Sequence, residues 1–133
     1  MSKSSSTGSE KRLRGVTKKM LPGLRRQLEE ERAQLRGQAE QLEADFRDES
    51  WKERRSDDEA EIGSAISERE RAMSLAQHAR SQLAVIDEAL GRMDDGTYGA
   101  CVECGELIER ARLEARPQSL LCLDCQRARE RVR

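Results

Sequence analysis

Aromatic residues are nearly absent from this chain of 133 residues, which contains one Trp, one Tyr and one Phe. Hydrophobic residues make up 35% of the sequence and charged residues 38%. A compact globule of this length would need more apolar side chains to build its core. Richness in Glu, Arg, Ala, Leu and Gln favours long helices instead. Disordered chains share this composition, so helical periodicity in the sequence is needed to distinguish long helices from disorder.

The chain also lacks a strong excess of either charge and any long apolar run. A net charge of -1 gives no global attraction to nucleic acid or to a membrane surface. No stretch resembles a signal peptide or a transmembrane helix, so we expect a cytoplasmic protein without a membrane partner. Thiols stay reduced in the cytoplasm, and four cysteines there favour a metal over disulfides.

Catalytic motifs are missing as well. The only histidine, His78, falls in the middle of a helical pattern and is expected to be a surface or seam residue. No Ser-His-Asp set, phosphate-binding loop or Cys-His pair can be assembled from the remaining residues. The sequence therefore predicts a protein that is not an enzyme.

The first helical pattern follows a basic N-terminal region. Residues 11–26 contain seven basic side chains and no acidic one, and residues 1–19 are predicted to form a disordered, basic tail. Pro22 is tolerated in the first turn of a helix, which places the helix start near residue 20. Beyond it, leucines spaced seven residues apart predict a coiled-coil seam: Leu28, Leu35 and Leu42.

A second helical stripe follows a break in the pattern, and a connecting tip is predicted at about residues 46–61. Asp94-Asp95-Gly96 ends the second helix, with Gly as a natural stop. Two helices joined by a short tip predict an antiparallel coiled-coil hairpin over residues 20–95, although pairing with another copy of the chain is the alternative. The stripe has a spacing of three and four residues: Ile62, Ile66, Arg69, Met73, Ala76, Leu83, Ile86, Leu90 and Met93.

Two Cys-x-x-Cys pairs, Cys101-Val-Glu-Cys104 and Cys122-Leu-Asp-Cys125, are separated by 17 residues. Each pair can form a tight knuckle, and Gly99 and Gly105 permit the turns around the first one. Two knuckles supply four thiolates to one tetrahedral Zn²⁺, which leaves no open coordination position and makes the ion structural. Residues 96–133 are therefore predicted to form a small four-cysteine zinc-finger head with a short C-terminal helix and one Zn²⁺ per chain. The alternative for a Cys-x-x-Cys pair is a thioredoxin-like redox site, but that site requires a strand-rich fold, which the sequence does not indicate.

The overall fold is predicted to be mainly α.

Three segments around the cysteines resemble the DksA/TraR family of bacterial zinc-finger transcription regulators. They are Tyr98-Gly-Ala-Cys-Val-Glu-Cys-Gly105, Arg112-Leu-Glu-Ala-Arg-Pro117 and Leu121-Cys-Leu-Asp-Cys125. The Arg-Leu-Glu-Ala-Arg-Pro segment is the specific part, since a generic zinc knuckle does not require it. With the hairpin included, the resemblance covers about residues 20–130.

The resemblance implies that the protein binds RNA polymerase rather than DNA, as a monomer. It implies that the hairpin enters the secondary channel and that an acidic tip acts near the catalytic magnesium. The tip residues are Asp57, Asp58, Glu59 and Glu61. Better-known members carry Asp-x-x-Asp-x-Ala, whereas this chain has Asp58-Glu-Ala-Glu-Ile-Gly63, so the second carboxylate lies one methylene further out.

The family also uses basic side chains to bind guanosine tetraphosphate at the polymerase rim. The corresponding positions here are His78, Gln82, Val85 and Gln126, most of which lack positive charge. A polyphosphate requires cations, so we expect weak or absent dependence on this alarmone.

Two other functions fit parts of the sequence. A DNA-binding zinc finger is suggested by arginines in the C-terminal region, but no base-reading helix of known geometry follows the zinc ligands. A structural coiled-coil adaptor capped by the zinc module is the second alternative, and it predicts a stable dimer. The arginines are Arg110, Arg112, Arg116, Arg127, Arg129, Arg131 and Arg133.

Overall fold

The computed structural model describes residues 13–48 and 59–132 of the chain. The fold of this part is mainly α, as predicted, and the only extended pairings within it are two isolated bridges, Arg14 with Glu109 and Ala100 with Leu107. None of its helices is both long enough and apolar enough to cross a membrane. Its helices are α1 (Leu21–Arg47), α2 (Glu59–Asp95), α3 (Arg110–Ala115) and α4 (Leu123–Val132).

The ends of the two long helices follow from local sequence. Helix α1 begins at Leu21, so Pro22 lies in its first turn, where a missing N–H group costs no hydrogen bond. Helix α2 ends at Asp95, and Gly96 follows with a φ of +82°. The N–H of Thr97 donates to the carbonyl of Arg92 at 2.9 Å, which closes the helix in the way a left-handed glycine permits.

The chain divides into two compact units. The first, which we call the cysteine unit, comprises Met1–Glu30 and Val85–Arg133. The second, which we call the helix-pair unit, comprises Glu31–Ala84. Each long helix contributes one segment to each unit.

Within the helix-pair unit, the segments of α1 and α2 are antiparallel, as predicted. Glu43 near the end of α1 pairs with Arg80, while Phe46 one turn later meets Arg69, which lies earlier in α2. The side chains buried in this unit combine small and medium sizes, and the alanines allow the helices to approach closely. They are Leu35, Ala39, Ala76, Ala79 and Leu83.

The early part of the predicted α2 stripe is exposed. Ile62 and Ile66 keep 42% and 41% of their surface in contact with solvent. Because α1 ends at Arg47 and its last turn already lies beside Arg69, the described part of α1 offers no residue opposite them. The apolar stripe therefore extends further along the sequence than the buried seam does.

Within the cysteine unit, the two helix segments are also antiparallel. Arg25 in α1 donates to Asp94 in α2 at 2.7 Å. Leu28 and Ile86 are almost completely buried, at 0% and 1% exposure. In the region around the cysteines of the same unit, Ile108 and Leu113 are also fully buried.

The segment before α1 is bonded to the cysteine region. The N–H of Gly15 donates to the carbonyl of Ile108 at 2.7 Å, and the N–H of Arg110 donates to the carbonyl of Leu13. Arg110 also donates through its side chain to the carbonyl of Gly15. The sequence places residues 1–19 in a disordered tail; from Leu13 onward this expectation is wrong, because backbone pairing fixes the segment. Residues 1–12 lie outside the described ranges.

Candidate metal centre and acidic tip

The four cysteines form one cluster. Their Sγ atoms all lie within 4.8 Å of one another, and none of them is in a disulfide. Cys101 and Cys104 lie in the loop after α2, Cys122 directly precedes α4, and Cys125 lies in the first turn of α4. Two segments that are distant in sequence thus bring their thiols to a single point.

The first cysteine pair lies on a turn closed by backbone hydrogen bonds. The N–H of Cys101 donates to the carbonyl of Glu106 at 2.7 Å, and the N–H of Gly105 donates to the carbonyl of Cys101 at 3.0 Å. Gly105 and Gly99 have φ values of +79° and +94°, which glycine adopts without steric cost. The expectation that these two glycines permit the tight turns is confirmed.

The second pair is set by the start of α4. The N–H of Gln126 donates to the carbonyl of Cys122 at 2.9 Å, and the N–H of Cys125 faces the Sγ of Cys122 at 3.5 Å. A further bond of 2.9 Å, from the N–H of Val102 to the carbonyl of Leu120, links the two cysteine pairs. Backbone bonding therefore holds both knuckles.

The thiols of the cluster affect each other's ionisation. Burial opposes the ionisation of Cys101, but the N–H groups of Cys104, Cys122 and Glu103 outweigh it and lower its pKa to about 6. Hydrogen bonds with Cys122 and Cys101 raise the pKa of Cys125, and burial adds to this effect. Four adjacent thiols cannot all ionise unless a cation compensates their charge, which is the electrostatic condition of a metal site.

The sulfur geometry fits a tetrahedral ion. The Sγ atoms of Cys104 and Cys122 are 3.8 Å apart. Four sulfurs at about 2.3 Å from a central Zn²⁺ have tetrahedral edges of about 3.8 Å. The donor set and its spacing therefore suit one four-coordinate ion without an open position.

Residues of the family-like segments form hydrogen bonds to the backbone that leads to the second cysteine pair. Tyr98 is buried and donates its hydroxyl to the carbonyl of Pro117 at 2.7 Å, and burial raises its pKa to about 12. Arg112 donates to the carbonyl of Leu121, directly before Cys122, at 3.0 Å. Leu113 is fully buried. The sequence pattern marks these residues as part of the family-like segments but does not indicate their structural role. Arg112 holds the backbone beside Cys122, and Tyr98 holds the loop that leads to it.

A cleft of about 520 Å³ in the cysteine unit contains two of the four positions expected to face an alarmone, whereas His78 and Gln82 line a separate groove. Val85 and Gln126 line the cleft together with one acidic residue, Glu130, and four arginines: Arg112, Arg116, Arg127 and Arg129. Two of these are already engaged, since Arg112 binds the Leu121 carbonyl and Arg129 pairs with Glu103. The cleft is more cationic than positions 85 and 126 alone indicate.

The structure describes half of the predicted acidic tip. Glu59 is the first residue of α2 and Glu61 lies in its first turn, and both side chains are exposed. Acidic groups are favourable there because the N-terminus of a helix carries partial positive charge. Asp57 and Asp58 lie outside the described residues. The tip carboxylates and the cysteines belong to different units.

The region of the cysteine cluster matches a known family. Residues 96–131 match the prokaryotic dksA/traR C4-type zinc finger. The RNA polymerase-binding transcription factor DksA of Escherichia coli (strain K12) is 32% identical over 107 residues, which cover 79% of this chain and 68% of that protein. The chain belongs to the DksA/TraR family. The resemblance deduced from the cysteine segments is thereby confirmed.

Other relatives and solved structures agree. The structure of transcription factor DksA2 from Pseudomonas aeruginosa is 32% identical, with a TM-score of 0.70 over 86% of this chain and 85% of that one. The solution structure of DnaK suppressor protein from Agrobacterium tumefaciens C58 gives a TM-score of 0.55 over 81% of this chain. DksA of Caulobacter vibrioides is 45% identical over 69 residues, so the chain spans about half, 49%, of that relative's length. The DksA proteins of E. coli and C. vibrioides and DksA2 of P. aeruginosa are named as transcription factors rather than as enzymes.

Proposed function

We propose that this protein is a transcription regulator that binds RNA polymerase and acts through its acidic tip in the secondary channel. The observation that carries the proposal is the match to the E. coli factor, which is named for binding RNA polymerase and aligns with 79% of this chain. That length requires both long helices as well as the cysteine unit. Such a regulator works in the cytoplasm, and we expect it to act as a monomer.

The cysteine cluster would hold one structural Zn²⁺ through Cys101, Cys104, Cys122 and Cys125. The 3.8 Å sulfur spacing and the four-thiolate donor set support this assignment. The ion supplies fold stability and no chemistry, because four protein ligands leave no position for substrate or water. The cysteine unit then serves as a rigid body for docking.

The acidic tip would supply the regulatory contact. Carboxylates from Asp57, Asp58, Glu59 and Glu61 can engage basic groups or magnesium-bound water, because Mg²⁺ keeps several waters and prefers oxygen ligands. The exposure of Glu59 and Glu61 at a helix start supports this role, since neither is committed to a buried contact. The proposal retains weak or absent dependence on guanosine tetraphosphate. Titration of the protein with the alarmone tests this expectation directly, because four arginines line the cleft beside Val85 and Gln126.

The test separates binding from regulation. The full-length, zinc-loaded protein is used to pull down core RNA polymerase and to modulate open-complex lifetime in transcription. The double variant Asp58→Asn with Glu61→Gln should bind polymerase normally and lose its effect on lifetime. Glu70→Gln, an exposed position further along α2, serves as the matched control and should behave like the wild type.

Three outcomes would contradict the proposal. Unchanged regulation by the double variant would remove the role of the tip. Failure of the wild type to retain polymerase would remove the partner. Retention on DNA without polymerase, weakening steeply with salt, would favour the DNA-binding alternative.

A further inference from the structure

Arg69 makes an unusual contact with the end of α1. Its Nη2 and Nε atoms donate to the backbone carbonyl of Phe46 at 2.8 and 3.2 Å. The same guanidinium lies 5.0 Å from the centroid of the Phe46 ring. One side chain of α2 thus holds both the main chain and the side chain of a single residue in α1.

The carbonyl of Phe46 lies in the last turn of α1. Helix α1 ends at Arg47, and the last carbonyls of a helix have no partner within the helix. A guanidinium at this end also meets the partial negative charge of the helix C-terminus. The hydrogen bonds are charge-assisted, and the half-buried location of Arg69 limits competition from water. Arg69 therefore caps α1 from another helix.

A second cross-helix pair in the same unit differs in kind. Arg80 donates two hydrogen bonds to the carboxylate of Glu43, at 2.7 and 2.8 Å, on an exposed surface. That pair joins two side chains about one turn before the end of α1, and its hydrogen bonds go to a carboxylate rather than to a main-chain carbonyl. Arg80 is therefore a matched comparison for Arg69: it is the same residue type on the same helix, and it also donates twice.

We propose that Arg69 is a positioning residue for the acidic start of α2. Glu61 precedes Arg69 by eight residues, which is about 12 Å along a helix. By fixing the last turn of α1 against the helix that carries Glu59 and Glu61, Arg69 sets the geometry in which these carboxylates are presented. This role rests on the proposed function of the tip.

The test uses the full-length, zinc-loaded protein and three variants. In Arg69→Gln, amide exchange in the last turn of α1 should accelerate about tenfold, as loss of charged hydrogen bonds predicts. Regulation of open-complex lifetime should weaken by roughly fivefold or more while polymerase affinity stays within about twofold, because the docking surfaces are intact. Arg69→Lys keeps the charge but not the two-pronged donor, and should recover part of both effects. Arg80→Gln should change neither exchange at the end of α1 nor regulation.

Each alternative result has a defined meaning. Equal weakening of regulation by Arg69→Gln and Arg80→Gln would reduce Arg69 to general stabilisation and overturn the positioning role. A loosened helix end with unchanged regulation would overturn that role alone. A wild-type protein that does not bind polymerase would overturn the proposed function, whereas the exchange comparison would still decide whether Arg69 caps α1.

Discussion

The two units of this chain bury very different side chains. In the part of the chain that the structure describes, the largest fully buried side chains are those of Leu28, Ile86, Ile108 and Leu113, and all of them lie in the cysteine unit. The seam of the helix-pair unit relies on Leu35 and Leu83 together with alanines. The unit that contains the four-cysteine cluster is also the one with the well-defined apolar core.

The units also differ in the range of their hydrogen bonds. The cysteine unit is joined by backbone bonds between distant positions, such as Gly15 with Ile108 and Val102 with Leu120. The helix-pair unit depends on bonds within each helix and on a few cross-helix contacts such as Arg80 with Glu43. Segments that are joined by many long-range bonds open as one cooperative unit, whereas helix ends open locally. We therefore expect cooperative unfolding of the cysteine unit and graded fraying of the helix-pair unit.

Removal of the metal should have the largest effect and should affect the two units differently. A chelator, or the substitution Cys122→Ser, should unfold the cysteine unit, since structural Zn²⁺ contributes apparent binding free energies of about 10–16 kcal/mol in finger peptides at neutral pH. Amides near Leu113 should lose protection from hydrogen exchange, while those near Ala76 should keep theirs. Exchange resolved along the chain, combined with zinc stoichiometry, measures both effects.

Zinc addition provides the control for this experiment. Returning Zn²⁺ to the chelated wild type should restore protection near Leu113, whereas Cys122→Ser should not respond. If the amides near Leu113 stay protected after complete removal of the metal, the apolar core around Ile108 is enough to keep the cysteine unit folded. That result would contradict the expected dependence of folding on Zn²⁺.

A substitution in the apolar core should have the next largest effect. Leu113→Ala removes a side chain with 0% exposure and should cost about 2–5 kcal/mol of unfolding free energy, from lost burial and a residual cavity. Leu107→Ala, the same change at 50% exposure in the same unit, should cost about 1 kcal/mol or less. Denaturant unfolding of the zinc-loaded protein measures both, and similar costs would show that burial at Leu113 does not support the unit.

Features set by local chemistry could be predicted from the sequence. Pro22 and Gly96 set the start of α1 and the end of α2 through their own backbone preferences. The spacing of the cysteines indicated the cluster, because each Cys-x-x-Cys pair forms its turn locally. The family-like segment Arg112–Pro117 then indicated the family. Each of these signals depends on residues within a few positions of one another.

The individual pairings between residues distant in sequence could not be predicted. Leu13 and Gly15 lie in a basic segment whose composition resembles a tail, and nothing local indicates their pairing with residues near Ile108. Arg69 falls on the apolar stripe of the second helix, but its hydrogen bond to the main-chain carbonyl of Phe46 on the first helix leaves no signal in the sequence. Ile62 fits the stripe equally well and yet is exposed. Periodicity shows which face of a helix is apolar, but it does not show where the opposite helix ends.

The smallest expected effect concerns Glu43 and pH. The hydrogen bond from Arg80 lowers the pKa of Glu43 below its ordinary value of 4.5, against a small opposing effect of burial, and attraction to Arg80 and Arg47 adds to the lowering. A carboxyl whose pKa is lower in the folded state stabilises that state above its ordinary pKa. This stabilisation disappears as the pH falls from about 4.5 through the lowered pKa.

Arg80→Gln provides the measurement for this pair. In an NMR titration of the Glu43 carboxyl, the substitution should return the midpoint toward 4.5, and added salt should shift the wild-type midpoint in the same direction. The pair is exposed, so its loss should hardly change overall stability and should leave the cysteine unit unaffected. A midpoint that Arg80→Gln does not move would mean that the contact is too mobile in solution to hold the two helices in register. In that case the buried seam of Leu35, Ala76 and Leu83 would have to fix the register of the two helices in this unit, supported by the contact of Arg69 with Phe46.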